Sequence, residues 1–172
     1  MGERFSQPFD LVLGRKTYEI FAAYWPYQAG EIADPFNACT KYVATRSDRE
    51  FTWNNTTPLR GDAAAEIARL KQGEGPNLLT QGSTNLLQTL LSHGLVDEFW
   101  LLVFPLVLGK GKRLFGEGTV PAGLKLAGSK VSSTGVIIST YLPAGEVQTG
   151  SFAMDEPSEA ELKRRREWAA EG

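Results

Sequence analysis

Apolar residues recur along this chain first with the period of a strand and then with that of a helix, and the change repeats. Phe9-Asp10-Leu11-Val12-Leu13 is a short β-favouring run that stops at Gly14. Tyr18, Ile20, Phe21 and Tyr24 then suit one face of a helix over residues 16–24. Residues 24–38 hold Pro26, Gly30 and Pro35 among polar neighbours and read as a loop with room for one helical turn. The run 39–44 (CTKYVA) predicts the next strand, which ends at Thr45-Arg46-Ser47, and residues 51–53 predict another short one.

Asp62 predicts an N-cap, because its carboxylate can accept from the free amides of a first turn and sits at the positive end of the helix dipole. That helix runs to about Gln72 with Ile67 and Leu70 inward, cations Arg69 and Lys71 in its last turn, and Gly73 as a left-handed exit. Residues 77–80 (NLLT) form a buried strand, Gln81-Gly82 a tight turn, and Ser83 the N-cap of a helix striped by Leu86, Leu87, Leu90 and Leu91. Residues 97–104 read as a strand buried on both faces, at the centre of a sheet. A Gly- and Lys-rich segment, 109–118, follows it. Two alternating runs, 124–132 and 136–142, meet near Thr134-Gly135 as an antiparallel hairpin. A polar linker over 145–155 leads to a last helix, capped by Ser158 with Glu161 and laced by Glu159/Lys163 and Glu161/Arg165 pairs.

Strands that alternate with helices imply right-handed βαβ units. The fold class is therefore α/β: a mixed, mostly parallel sheet flanked by helices, with an antiparallel C-terminal hairpin. Residues 1–143 form the domain and 144–172 a polar linker with a helix.

Composition removes several alternatives. A chain of 172 residues suits one domain that buries about 70% of its unfolded surface and needs no staple. One Cys forms no internal disulfide, and one His with one Cys supplies no structural zinc set, so no metal is expected. Eighteen Lys and Arg against 20 Asp and Glu give a net charge of −2, without the basic face that nucleic acid requires. The opening MGERFSQPFDLVLG lacks the apolar core of a signal peptide. The longest apolar run, 99–108, contains Pro105 and reaches about half a bilayer. No membrane partner is expected, and the cytoplasm is the expected location.

In an open parallel sheet, ligands bind beyond the carboxyl ends of the strands, where helices point their amide-rich N-termini. Three such ends carry suitable residues: Gly14-Arg15-Lys16-Thr17, Thr45-Arg46-Ser47 and Gln81-Gly82-Ser83-Thr84. Each alone is a weak signal, since an Arg-Lys pair at a strand end is more often a solvated surface feature and a serine such as Ser83 more often a plain N-cap. Together, two cationic ends and one neutral amide-rich end match an extended anion with a terminal phosphate and a central pyrophosphate, the charge layout of NADPH.

Other motifs carry less. Lys110-Gly111-Lys112-Arg113 lacks the Walker spacing, although a glycine turn there could touch a substrate phosphate. Ser83 is no hydrolase elbow, since Gln81 and Asn85 stand where glycines are required. His93 sits at a helix end, Cys39 at a strand start, and Asp97-Glu98 at a solvated strand start. Trp25 reads as a pocket wall or as an anchor for its loop. The run 163–166, interleaved with glutamates, is a salt-bridged face.

Five segments in this order resemble the dihydrofolate reductase-like family over about residues 9–143: LGRKTYE (13–19), VATRS (43–47), QGSTNLL (81–87), GLVDE (94–98) and PLVLGKGKRLF (105–115). The branch they resemble is the C-terminal reductase domain of bacterial riboflavin biosynthesis enzymes and its stand-alone relatives. The resemblance implies an NADPH-binding reductase with a mixed eight-stranded sheet, and a homodimer. It implies that Gly14, Arg15, Lys16 and Thr17 meet the cofactor phosphates. Thr45, Arg46 and Ser47 would surround the adenosine 2′-phosphate, and Gln81, Gly82, Ser83 and Thr84 would form the pyrophosphate turn.

The dihydrofolate reductases carry a Gly-Gly pair where this chain has Gln81-Gly82. They also begin with a strand before the segment matching residues 9–17, placed in the sheet between those matching 77–80 and 97–104, and only eight residues precede Phe9 here. The chain thus reads as lacking that strand, and no catalytic acid is assigned. The implied chemistry is hydride transfer to a C=N or C=O carbon of a small heterocyclic (pteridine or aminopyrimidine-like) or carbonyl substrate. A non-catalytic NADP(H)-binding protein is the alternative. No deaminase signature is present.

Overall fold

The computed structural model describes residues 7–150 and 156–171; the signal-peptide reading of the first six positions and the end of the 145–155 linker fall outside them. The chain opens with strand β1 (Phe9–Gly14), helix α1 (Arg15–Ala22), a 3-10 turn (Trp25–Tyr27) and helix α2 (Ala33–Ala38). It continues through β2 (Lys41–Ala44), β3 (Thr56–Leu59), α3 (Ala63–Lys71), β4 (Asn77–Leu79) and α4 (Thr84–Ser92). Last come β5 (Phe99–Val103), β6 (Leu124–Val131), β7 (Ile137–Pro143) and α5 (Glu159–Glu171).

Four strands form a parallel sheet in the order β3-β2-β1-β4, and three form an antiparallel sheet in the order β5-β7-β6. Strand β1 is buried on both faces, and its period-2 alternation divides the core between them. Phe9, Leu11 and Leu13 pack with Tyr18, Phe36, Val43 and Trp53, while Val12 packs with Leu59, Ile67, Leu86 and Leu90 on the other side. The first cluster is aromatic. Phe36 stacks on Phe21 and meets Trp25 and Phe9 edge to face, geometries that satisfy the ring quadrupoles.

Below the sheet, at the amino end of β2, Lys41 is fully buried. Its ammonium donates to the carbonyls of Asn37 and Cys39, both at 2.8 Å, and sits 4.4 Å from the centre of the Trp53 ring. It therefore closes the C-terminus of α2, where backbone carbonyls lack intrahelical partners. Burial holds the Lys41 amine below its ordinary value and pushes the Cys39 thiol up.

Asp62 caps α3 as its position foretold, accepting from Ala64 N at 2.8 Å and Ala65 N at 3.1 Å. Ser158 likewise accepts from Glu161 N in the last helix. Two arginines, Arg164 and then Arg165, hydrogen-bond the Glu161 carboxylate and hold it at about 2.

Several expectations do not survive. Residues 51–53 are not a strand; the strand lies at 56–59, and Pro58 conceals it. A proline cannot donate to a ladder, yet β3 is an edge strand, where that loss is tolerated. Loop 24–38 holds both a 3-10 turn and helix α2. Gly73 is not left-handed, and α3 ends through an α-region residue at Gln72. Strand β5 is not central: it pairs with β7 alone among the described residues and ends in an exposed Val103. The single eight-stranded sheet implied by resemblance is instead two sheets that part between β4 and β5, the place where that resemblance puts a further strand.

Candidate functional site at the carboxyl edge of the parallel sheet

Because β1 to β4 run parallel, their carboxyl ends share one edge of the sheet. The chain leaves β1 toward β2 and β3 on one side and returns to β4 on the other, so the winding reverses between β1 and β4. A crevice opens at such a reversal, since the two crossover helices diverge to opposite faces. Along this edge stand, in spatial order, Arg60 after β3, Thr45-Arg46-Ser47 after β2, Gly14-Arg15-Lys16-Thr17 after β1, and Gln81-Gly82-Ser83-Thr84 after β4. All three predicted segments are neighbours.

Hydrogen bonds clasp the first and third segments together. Ser83 Oγ accepts from Gly14 N at 2.9 Å and donates to Gln81 O at 3.3 Å, while Ser83 N donates to Thr17 Oγ1 at 3.0 Å. Ser83 occupies the N-cap position of α4 but does not cap it. Its backbone is left-handed, with φ +52°, and so is that of Gly82, with φ +60°. The positions that favour glycine are therefore 82 and 83, one residue beyond the Gln81-Gly82 pairing read from the sequence. Ser83 stands where a glycine would be unstrained, and its hydroxyl compensates by spanning two strands. Ser83→Gly is expected to keep stability within about 1 kcal/mol, since relief of strain offsets the lost bond. Ser83→Val, β-branched at positive φ and leaving Gly14 N–H without its acceptor, should cost about 2 kcal/mol or more in urea unfolding.

Helices α1 and α4 both open at the reversal point, and neither has a side-chain cap. Their first-turn amides find no acceptor among the described residues, in contrast to those of α3 under Asp62. Two helix dipoles thus present uncompensated N–H groups side by side. Beneath them, at the end of β4, the buried Thr80 Oγ1 has no hydrogen-bond partner among the described residues.

The cations differ in availability. Arg15 is held by Glu19 at 2.6 Å, and Arg49 reaches the same carboxylate at 3.6 Å. Arg60 donates to Asp48 at 2.8 Å and to Ser47 O at 3.1 Å. Arg46 and Lys16 are exposed and make no ion pair among the described residues. Thr45 Oγ1 accepts from Ser47 N and fixes the turn on which Arg46 projects. Arg60 escaped the sequence reading because the strand before it did, and a proline at an edge gives no strand signal.

Open amides at the reversal point with the exposed Lys16 and Arg46 beside them form a donor set that could hold a phosphorylated ligand. Among the described residues no three metal-ligating side chains cluster, and no helix is long and apolar enough to cross a membrane. His93, at the C-terminus of α4, places its Nδ1 within hydrogen-bond distance of Thr89 O and Ser92 Oγ.

Residues 1–138 match the family model of the RibD C-terminal domain. The chain is 30% identical over 143 residues to the uncharacterized protein YyaP of Bacillus subtilis (strain 168), covering 80% of this chain and 76% of that one. Among solved structures it resembles a Shewanella sp. PV-4 protein assigned to riboflavin biosynthesis, with TM-score 0.65, 24% identity, and 83% and 76% of the two chains covered. It also resembles the Thermotoga maritima diaminohydroxyphosphoribosylaminopyrimidine deaminase/5-amino-6-(5-phosphoribosylamino)uracil reductase, with TM-score 0.55 and 15% identity. That match covers 83% of this chain and 47% of the bifunctional one, about half its length. With these matches and the riboflavin-reductase type of fold, the chain belongs to the RibD C-terminal domain family.

Proposed function

We propose that this chain binds NADPH along the carboxyl edge of its parallel sheet and reduces a C=N or C=O group of a small pteridine- or aminopyrimidine-like substrate. The observation that carries the reading is the pair of uncapped helix N-termini, α1 and α4, clasped by Ser83 at the winding reversal. In this reading their open amides receive the pyrophosphate, with Lys16 beside them. Arg46, flanked by Thr45 and Ser47, receives the adenosine 2′-phosphate, and the three-segment alignment leaves the nicotinamide to extend past β4. The bound cofactor supplies the hydride. The protein binds and orients both partners, a contribution made by geometry and not by a reactive side chain. The substrate class rests on the family and on the aminopyrimidine reductase among the solved relatives.

Titration with NADPH while following tryptophan fluorescence tests binding, and loss of NADPH absorbance with pterin, aminopyrimidine and aldehyde acceptors tests turnover. Saturable quenching, together with oxidation by a heterocyclic acceptor, is the expected result. Binding without turnover across the panel would favour a cofactor-binding protein without catalysis. No binding would overturn the site.

A further inference from the structure

One carboxylate stands among the cations of the carboxyl edge and answers two of them. Glu19 Oε1, on α1, accepts from Arg15 Nη1 at 2.6 Å, and Arg49 Nη1 approaches the same oxygen at 3.6 Å. Arg15 follows β1, whereas Arg49 lies on the loop after β2. That loop is tied at Arg49 N by Ser47 Oγ, at 3.3 Å, and at Ser47 N by Thr45 Oγ1, at 3.0 Å, so Arg49 and Arg46 belong to one braced turn. The Glu19 side chain therefore bridges the start of α1 to the segment that carries Arg46. Asp48, on the same loop, is paired instead with Arg60. Two guanidiniums that converge on one oxygen would repel each other without an anion between them, and the anion between these two belongs to the chain itself.

We infer that Glu19 sets how strongly this edge discriminates between dinucleotides with and without a 2′-phosphate, as an internal counter-ion that the added phosphate has to oppose. The inference rests on the proposed NADPH reading and adds to it a residue that works against binding. A phosphomonoester carries about −1.5 to −2 at pH 7. A carboxylate held between Arg15 and Arg49 repels that charge and also occupies guanidiniums that would otherwise turn to it. NADH bears a hydroxyl at the same place and lacks the charge that Glu19 opposes. The pyrophosphate is common to both cofactors, so its share cancels in the ratio of their dissociation constants. Glu19 is 42% exposed, and a pair so open to water is weak, so the carboxylate tunes the phosphate's affinity and does not exclude it.

Dissociation constants of NADPH and NADH, read by tryptophan quenching of the full chain, test the inference. Glu19→Gln keeps the side chain's length and removes its charge. It should tighten NADPH about three- to tenfold, the size expected of one unit charge acting on a doubly charged group in water, and NADH by less than about twofold. The gain should shrink at about 1 M salt, where the screening length is about 3 Å. Glu19→Ala should move the ratio in the same direction. Asp97→Asn removes a like charge from an ion pair with Lys71, the last residue of α3, at the opposite edge of the parallel sheet, and should leave the ratio where it was. Equal tightening of both cofactors, no tightening, or an equal shift in Asp97→Asn would overturn the inference while the NADPH reading stands. A parent chain that binds neither cofactor would remove both.

Discussion

Lys41→Ala should destabilise the protein by about 3–5 kcal/mol, a fall in Tm of roughly 10 °C. The substitution empties a fully buried site, takes from Cys39 O its Lys41 donor and leaves Asn37 O with Asn54 Nδ2 at 3.0 Å. It also removes the cation from the Trp53 face. Lys41→Met, which keeps the volume, should recover about half the loss, the remainder measuring the lost ammonium and its bonds to Cys39 O and Asn37 O. Thermal and urea unfolding of both variants check this; equal losses would mean that the ammonium's contacts alone are at stake, and full recovery in Lys41→Met that packing alone is.

The pH dependence separates the two neighbours. Burial lowers the folded Lys41 pKa below its ordinary 10.5, so near that pH the unfolded chain holds the extra proton and Lys41 makes stability rise with pH. Burial raises the folded Cys39 pKa above its ordinary 9.0, so there the folded chain holds the extra proton and stability falls as pH climbs past 9. Lys41→Met removes the rising contribution and should show the alkaline fall more steeply than the parent.

Arg46→Ala should weaken NADPH by about 1.5–3 kcal/mol, roughly 10- to 150-fold, and NADH much less. The difference follows from availability. Arg15 and Arg60 are already engaged by Glu19 and Asp48, whereas Arg46 is exposed, makes no ion pair among the described residues and projects from a turn fixed by Thr45. In the proposed binding mode, the added phosphate would gain a charge-assisted bond at Arg46 without displacing an ion pair among the described residues. Parallel titrations of both cofactors measure it, and equal losses for the two would remove Arg46 from the 2′-phosphate. Arg60→Ala serves as the comparison, since it should mainly release the 47–48 turn.

The elements that were legible in the sequence are those whose signal is local. Strand β1, the turn at Gly14 and α1 follow from a period change over a dozen residues, and Asp62 was readable because its cap is made within three residues. Ser83 gave the same local signal as Asp62, yet its hydroxyl serves Gly14, 69 positions away, and no spacing along the chain reveals such a bond. Strand β5 was misplaced for a different reason. A continuous apolar run signals withdrawal from water without saying which neighbours provide it, so it does not tell a central strand from one paired on a single side. Strand β3 was silent because Pro58, tolerated at a sheet edge, interrupts the β-favouring run that would have marked it, and the short strand was expected at 51–53 instead. The neighbourhood of the three strand ends could be anticipated, since parallel strands with short crossovers must bring them to one side.

One side chain ties the two halves of the molecule. Gln88, one turn into α4, donates to Leu114 O at 2.8 Å and accepts from Thr119 Oγ1 at 2.8 Å and Gly116 N at 3.4 Å. The helix whose first residues face the crevice therefore grips, along the same rigid rod, the segment that leads from the uncharged run to the hairpin. Losing the Gln88 amide would therefore release Leu114, Gly116 and Thr119 together, although the helix core below it is untouched.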